Sequence, residues 1–111
     1  MAVEQKEYGT FSLIILDGSL TVKEITEVKQ AVLSAASLGH TKIAVDMSKS
    51  KTIDSSGVGL LANASKKMNS EGGSFAVVGV NEDILDIINI ALPVGDLEIF
   101  SDIEELEKKF D

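Results

Sequence analysis

The chain of 111 residues is long enough for one domain with one hydrophobic core, and its lack of Cys excludes disulfide frameworks, thiolate catalysis and zinc–cysteine sites. Hydrophobic residues make up 44% and charged residues 25%, which is typical of a globular protein and excludes a disordered one. A net charge of −8, with 10 basic groups that are all Lys, argues against binding to nucleic acid or to an anionic membrane surface.

The first part of the chain predicts a hairpin. Residues 3–8 and 11–16 have the composition of short strands, and Gly9-Thr10 between them is a turn signal. Residues 13–16 are continuously apolar, as in a strand that is buried on both faces.

A helix follows the hairpin. Thr21 and Glu24 have the spacing of a capping box, with Thr21 as the N-cap, and Gly39 supplies the stop. Apolar residues at helical spacing predict its buried face: Val22, Ile25, Val28, Val32 and Ala35.

Strands and helices then alternate to the end of the chain. Strands are predicted over residues 42–46, 75–78 and 97–100. Helices are predicted to open at Asp54 or Ser55, at Asn81, and at a second capping box that begins with Ser101. The connection after the helix at Asp54 or Ser55 ends at Gly72-Gly73, and Pro93 ends the helix that begins at Asn81. Their inward residues are predicted to be Val58, Leu61, Ala64 and Met68, then Ile84, Ile87, Ile88 and Ala91, then Ile103, Leu106 and Phe110.

This order of elements predicts the α/β class. We expect residues 1–111 to form a single domain with a mixed, largely parallel five-stranded sheet, an N-terminal hairpin and about four helices.

The segment 54–59, Asp-Ser-Ser-Gly-Val-Gly, opens the second helix and carries the strongest functional signal. Two glycines this early cost a helix about 1 kcal/mol each relative to Ala, so a bare backbone is needed there, either for close packing or for the approach of a partner. The hydroxyls of Ser55 and Ser56 would lie at the positive end of the helix, which suits a phosphoryl group. The alternative is that Asp54-Ser55-Ser56 is a helix cap and nothing more.

In its position after a strand and at the start of a helix, the segment 54–59 resembles the STAS family, the anti-sigma factor antagonists and their relatives. The hairpin start, the order of elements, Gly72-Gly73 before the next strand and the region 95–97 agree with this resemblance, which covers essentially the whole chain. The resemblance implies a STAS-like fold.

The resemblance also implies a switch. The Ser that follows the Asp, here Ser55, is phosphorylated by a partner that is both serine kinase and anti-sigma factor; the unmodified form binds this partner, the phosphorylated form does not, and a phosphatase resets the switch. Ser56 is the less favoured acceptor. The partner contact implied for this chain consists of Asp54, Ser55, Ser56, Gly57, Val58 and Gly59.

One turn departs from the family pattern. Antagonists of this family typically carry an acidic residue after the Gly of the turn that follows the second strand, and an Asp two positions later. Here the turn reads Gly18-Ser19-Leu20-Thr21, and both carboxylates are missing. The departure favours an alternative, a non-switching STAS accessory subunit of a transport complex or signalling scaffold.

Catalytic patterns are missing from the sequence. It has no Gly-rich loop with a Lys for a nucleotide, no cluster of metal ligands, and a single His, His40, which follows the helix stop and is expected in a surface loop. We therefore expect a binding protein without cofactor or metal, with ATP belonging to the partner kinase, and reject a small enzyme or phosphocarrier.

The sequence predicts a cytoplasmic protein. No apolar run approaches the roughly 18–20 residues of a membrane span, and the first residues lack a hydrophobic signal core. Direct membrane insertion is therefore not expected. Leu92-Pro93-Val94 is interpreted as core packing rather than a docking surface.

Overall fold

The computed structural model describes residues 2–110, and these residues form one mixed sheet of five strands in the order β1-β2-β3-β4-β5. The strands are β1 (Ala2–Tyr8), β2 (Phe11–Asp17), β3 (Lys42–Asp46), β4 (Ser74–Val78) and β5 (Glu98–Phe100). The β1–β2 hairpin is antiparallel, and every later pair of neighbours is parallel. The predicted α/β fold with an N-terminal hairpin is confirmed.

Residues 2–110 also form four α-helices, as the sequence predicts. They are α1 (Ile25–Ser37), α2 (Ser55–Ser70), α3 (Glu82–Ala91) and α4 (Ile103–Phe110). The predicted Thr21–Glu24 pair opens a short 3-10 turn, Val22–Glu24, that leads into α1: the Glu24 carboxylate accepts from the Thr21 hydroxyl at 2.6 Å and from its N–H at 3.3 Å. The Glu24 N–H donates to the Thr21 carbonyl at 2.9 Å. At the other end of α1, Gly39 has a φ of +94°, a conformation that favours glycine, and ends the helix as predicted.

The two faces of the sheet bury different helices, because successive strand residues point to opposite faces. On one face, strand residues such as Ile14 and Val45 join the core formed with α1, α2 and α3. On the other face, Leu13 and Ala44 belong to a smaller cluster with α4. Both faces of β2 are therefore covered, in agreement with its continuous apolar run.

Three details of the sequence prediction are wrong. Asp102 rather than Ser101 caps α4, because the Asp102 Oδ1 accepts from the N–H of Glu105 at 2.9 Å and the helix begins at Ile103. Val22 is 66% exposed, since the 3-10 turn places it outside the helical periodicity of α1.

The third error concerns the end of α3. Leu92 is half-buried against the core as predicted, but Ala91 and Pro93 are exposed and Val94 is fully exposed, whereas core packing was predicted for them too. The chain turns outward after Leu92, with the Asp96 N–H donating to the Pro93 carbonyl at 3.2 Å, and it returns to the core at Leu97.

The two ends of the parallel strands carry different parts of the chain. The carboxyl ends of the parallel strands lie at one edge, where the loops into α1, α2 and α3 begin. At the opposite edge, the Nζ of Lys42, the first residue of β3, donates to the Phe110 carbonyl at 2.6 Å. This contact places the end of α4 where the parallel strands start.

Candidate functional site

The site forms where the loop after β2 pairs with the segment that leads into α2. The Leu20 N–H donates to the Thr52 carbonyl and the Asp54 N–H donates to the Leu20 carbonyl, both at 3.2 Å. Leu20 and Ile53 form an isolated parallel bridge, and both side chains are buried. The two segments thus extend the sheet by one short pairing beyond the end of β2.

Asp54 is the N-cap of α2, with an extended backbone at φ −108°. Its Oδ1 accepts from the N–H of Gly57 at 3.0 Å, which satisfies one of the free donors of the first helical turn. Its Oδ2 accepts from the N–H of Val22 at 2.9 Å. One carboxylate therefore joins the start of α2 to the loop before α1, and the prediction that α2 opens at Asp54 or Ser55 is resolved in favour of Asp54 as cap.

These hydrogen bonds also fix the charge of the cap. The Gly57 N–H, followed by the Val22 N–H, stabilises the ionised carboxylate and lowers the pKa of Asp54 below its ordinary value. Asp54 is therefore an anion at neutral pH, next in sequence to Ser55.

The two early glycines of α2 have different roles. A Cβ on Gly57 would lie 2.5 Å from the Leu20 carbonyl oxygen and 2.7 Å from the Ile53 Cγ1, so the loop packs directly on the bare backbone. A Cβ on Gly59 would meet nothing within 4 Å. The sequence left two reasons for a glycine, close packing or the approach of a partner. Close packing accounts for Gly57, whereas Gly59 leaves open surface.

Ser55 and Ser56 are the first two residues of α2, and both are exposed. Within residues 2–110 neither hydroxyl has a hydrogen-bond partner. Both lie at the positive end of the helix macrodipole, where an added anion is favoured. Each hydroxyl is accessible for modification.

The structure divides the predicted contact segment into accessible and buried parts. Ser55 and Ser56 are at the surface and Gly59 is half-buried, whereas Gly57 is buried and Val58 is 4% exposed. In the free domain a partner would therefore meet hydroxyls and backbone, with the Val58 side chain inside the core.

Sequence reasoning missed Val22 as part of this surface. Its N–H donates a hydrogen bond to the Asp54 carboxylate, and its side chain is the most exposed large apolar group on the edge that carries Ser55. No sequence signal marked its exposure, because a Thr–Glu pair at this spacing also opens ordinary α-helices, and it is the 3-10 turn that removes Val22 from the helical stripe.

A second set of contacts supports the loop before α2. The buried Ser50 hydroxyl donates to the Gly18 carbonyl at 2.6 Å. The Asn81 side chain caps α3 as predicted, accepting from the Ile84 N–H at 2.8 Å, and its Nδ2 also lies 3.3 Å and 3.1 Å from the carbonyls of Ser50 and Lys51. The sequence predicts the cap but not these contacts to the loop.

The turn that departs from the family pattern also takes part. The Ser19 hydroxyl accepts from the Thr52 N–H at 3.3 Å. The Ser19 side chain therefore accepts a backbone N–H at the position where the family pattern has a carboxylate.

Across the described residues 2–110, no three His, Asp or Glu side chains come together as metal ligands. His40 lies in the loop after α1, as predicted, with its Nε2 2.9 Å from the Oε2 of Glu7. No helix within this range has the length and hydropathy to cross a membrane.

Comparison with known proteins identifies a sequence family and several similar folds. Residues 7–91 match the family described as "Mlab, STAS domain". No curated protein sequence matches the chain at a significant level.

Three solved structures are similar over almost their whole length. One is a protein from Thermotoga maritima described as an anti-sigma factor antagonist (TM-score 0.90, 23% identity, 97% of this chain and 93% of that one). The second is an anti-sigma factor antagonist from Mycobacterium paratuberculosis (TM-score 0.88, 15% identity, 98% and 92%). The third is the Bacillus cell fate determinant SpoIIAA in its phosphorylated form (TM-score 0.75, 18% identity, 99% and 100%). At these identities the likeness establishes the fold.

Proposed function

Because the chain belongs to the STAS domain family, we propose that it acts as an anti-sigma factor antagonist, whose binding to a partner is switched by phosphorylation of Ser55. The observation that carries the proposal is the position of Ser55. Its exposed hydroxyl begins α2, directly after the Asp54 cap, in the element that the family resemblance assigns to the switch.

The unmodified surface suits close contact with a partner. Ser55, Ser56 and Gly59 carry little side-chain bulk, and the exposed Val22 side chain adds an apolar anchor beside them. The partner is a protein that is both anti-sigma factor and serine kinase. The contact patch we propose runs from Asp54 to Gly59, with Val22 added.

Phosphorylation would oppose binding without disturbing the domain. It adds about −1.5 to −2 charges at neutral pH, which the helix N-terminus tolerates. Beneath a partner the same phosphate would be desolvated next to the ionised Asp54. Unpaired charges at interfaces cost about 2–5 kcal/mol of affinity, enough to dissociate the complex.

The remaining roles belong to other proteins. ATP is bound by the partner kinase, and a phosphatase restores Ser55. The chain itself works as a binding protein in the cytoplasm without cofactor, and its charge of −8 suits a protein surface better than nucleic acid.

Mass spectrometry of protein purified from its native cells tests the modification. We expect a phosphate on the peptide between Lys51 and Lys66, lost in Ser55→Ala and retained in Ser56→Ala. An unmodified mass under all growth and stress conditions, or a phosphate that persists in Ser55→Ala, would contradict the switch at Ser55.

The altered turn favours a second candidate, a non-switching STAS accessory subunit of a transport complex or signalling scaffold. The turn lacks both carboxylates, and the Ser19 hydroxyl accepts a hydrogen bond from the Thr52 N–H instead. A kinase that reads those carboxylates would not recognise this edge. Co-purification with transporter or scaffold components, in a complex that Ser55→Asp leaves intact, would favour this candidate.

A further inference from the structure

An open groove separates α1 from α2 on the outer surface of the domain. Its volume is about 750 Å³, within the range of small-molecule sites. Apolar side chains from both helices form most of its wall: Ile25, Val32, Ala36, Leu60, Ala64 and Met68.

This apolar wall is accessible to solvent. Ile25, Ala36, Leu60 and Ala64 are only partly buried, although each lies against the core. Gly59 also lines the groove, and the open space around its Cα means that backbone packing does not require a glycine there. The absent side chain leaves the groove open near Ser56.

The charges along the groove oppose the charge of the molecule. Lys29 of α1 and Lys67 of α2 line it, both exposed, with Glu71 as its one carboxylate. Among the described residues 2–110, neither lysine has a carboxylate within salt-bridge distance. A chain with a net charge of −8 thus presents two unpaired cations beside an exposed apolar wall.

We propose that this groove binds an amphipathic anion, an alkyl chain that ends in a carboxylate. The chain would lie against the apolar wall, and the carboxylate would contact Lys29 or Lys67. Burial of alkyl surface supplies the affinity and the lysines select the sign of the head group. The groove shares Ser56 and Gly59 with the proposed contact patch but does not include Ser55, so binding of the anion does not require phosphorylation of Ser55.

Titration calorimetry with dodecanoate, kept below its micelle concentration, tests the proposal on the full chain. We expect saturable binding, weaker binding of dodecyltrimethylammonium, and loss of binding in Gly59→Leu, which fills the groove. Ala64→Leu narrows the same groove and provides a second test if Gly59→Leu does not fold. Lys29→Gln and Lys67→Gln should each weaken binding by about two- to fivefold, as expected for exposed ion pairs.

Lys66→Gln is the matched control, since Lys66 is an exposed lysine of α2 outside the groove and its replacement should leave binding unchanged. Absence of saturable binding, equal binding of the cationic detergent, or unchanged binding in a folded Gly59→Leu variant would overturn the proposal. Dodecanoate failing to bind while a protein partner protects groove amides from hydrogen exchange would also overturn it, and would make the groove a protein interface.

Discussion

The Oδ2 of Asp54 accepts a hydrogen bond from the backbone N–H of Val22 at 2.9 Å, although 32 positions separate the two residues. The other oxygen of the same carboxylate caps α2 through Gly57. Asp54 is thus both a local helix cap and a tertiary clamp between two loops. We expect the shape of the site to depend on this one side chain.

The pH dependence of stability tests the clamp. The folded-state pKa of Asp54 lies below its ordinary value near 3.8, so its contribution is fully present above about pH 5. As the pH falls further, the unfolded chain takes up the proton first and the free energy of unfolding decreases. Urea denaturation should show a constant advantage of the wild type over Asp54→Asn from about pH 6 to 8, shrinking below about pH 4. Glu24, whose pKa is lowered chiefly by the Thr21 hydroxyl, contributes to both proteins and cancels. An advantage that grows in acid would contradict this account.

Alanine substitutions of the two early glycines of α2 should change the free energy of unfolding in opposite directions. Gly59→Ala adds a side chain in open space and should raise the free energy of unfolding by up to about 1 kcal/mol through helix propensity. Gly57→Ala forces the Leu20 carbonyl away from the helix and should lower the free energy of unfolding by about 1–3 kcal/mol. Denaturant midpoints of the two variants measure this directly. Equal effects would mean that the loop does not pack on Gly57.

A charge at Ser55 should separate folding from binding. Ser55→Asp places an anion at the start of α2 and should change stability by only about 0.3–1 kcal/mol, in the favourable direction. Ser70→Asp, at the last residue of the same helix, is the control and should shift stability by a similar amount in the opposite direction.

Affinity for the anti-sigma partner should respond only to the first of these variants. Ser55→Asp should lose about 2–5 kcal/mol of binding free energy, whereas Ser55→Ala and Ser70→Asp should bind as the wild type does. Equal binding by Ser55→Asp and Ser55→Ala would exclude the switch.

Two variants of Asn81 should distinguish its cap from its contacts to the loop. Asn81→Ala removes both and should cost about 0.5–2 kcal/mol through the cap alone. Asn81→Asp keeps an oxygen for the Ile84 N–H but loses the amide that donates to the Ser50 and Lys51 carbonyls. Hydrogen exchange at Thr52 should accelerate in both variants, and exchange at Ile84 mainly in Asn81→Ala. Unchanged exchange at Thr52 would mean that Asn81 does not support the loop.

The sequence was sufficient for the features that depend on neighbouring residues. The Thr21–Glu24 box, the Asp54 and Asn81 caps and the Gly39 stop each arise within one helical turn, so spacing alone identified them. The alternation of strands and helices then predicted the sheet, because parallel neighbours need helical crossovers.

What the sequence could not predict depends on how distant segments meet. Gly57 and Gly59 are the same residue two positions apart in one helix, and nothing in the sequence indicates that Leu20 packs on Gly57 alone. Likewise, the apolar character of Val22 and Val94 suggested burial, while a 3-10 turn and an outward bend of the chain expose both. Asp54 and Val22 are 32 positions apart, and only the folded sheet brings them close enough to form their hydrogen bond.

The bond between Lys42 and the Phe110 carbonyl has a practical consequence for how the domain can be held. It keeps the carboxyl end of α4 at the edge of the sheet opposite Ser55. A surface, a label or a fused polypeptide attached beyond Phe110 would therefore leave the serine edge facing outward, free to meet a second macromolecule.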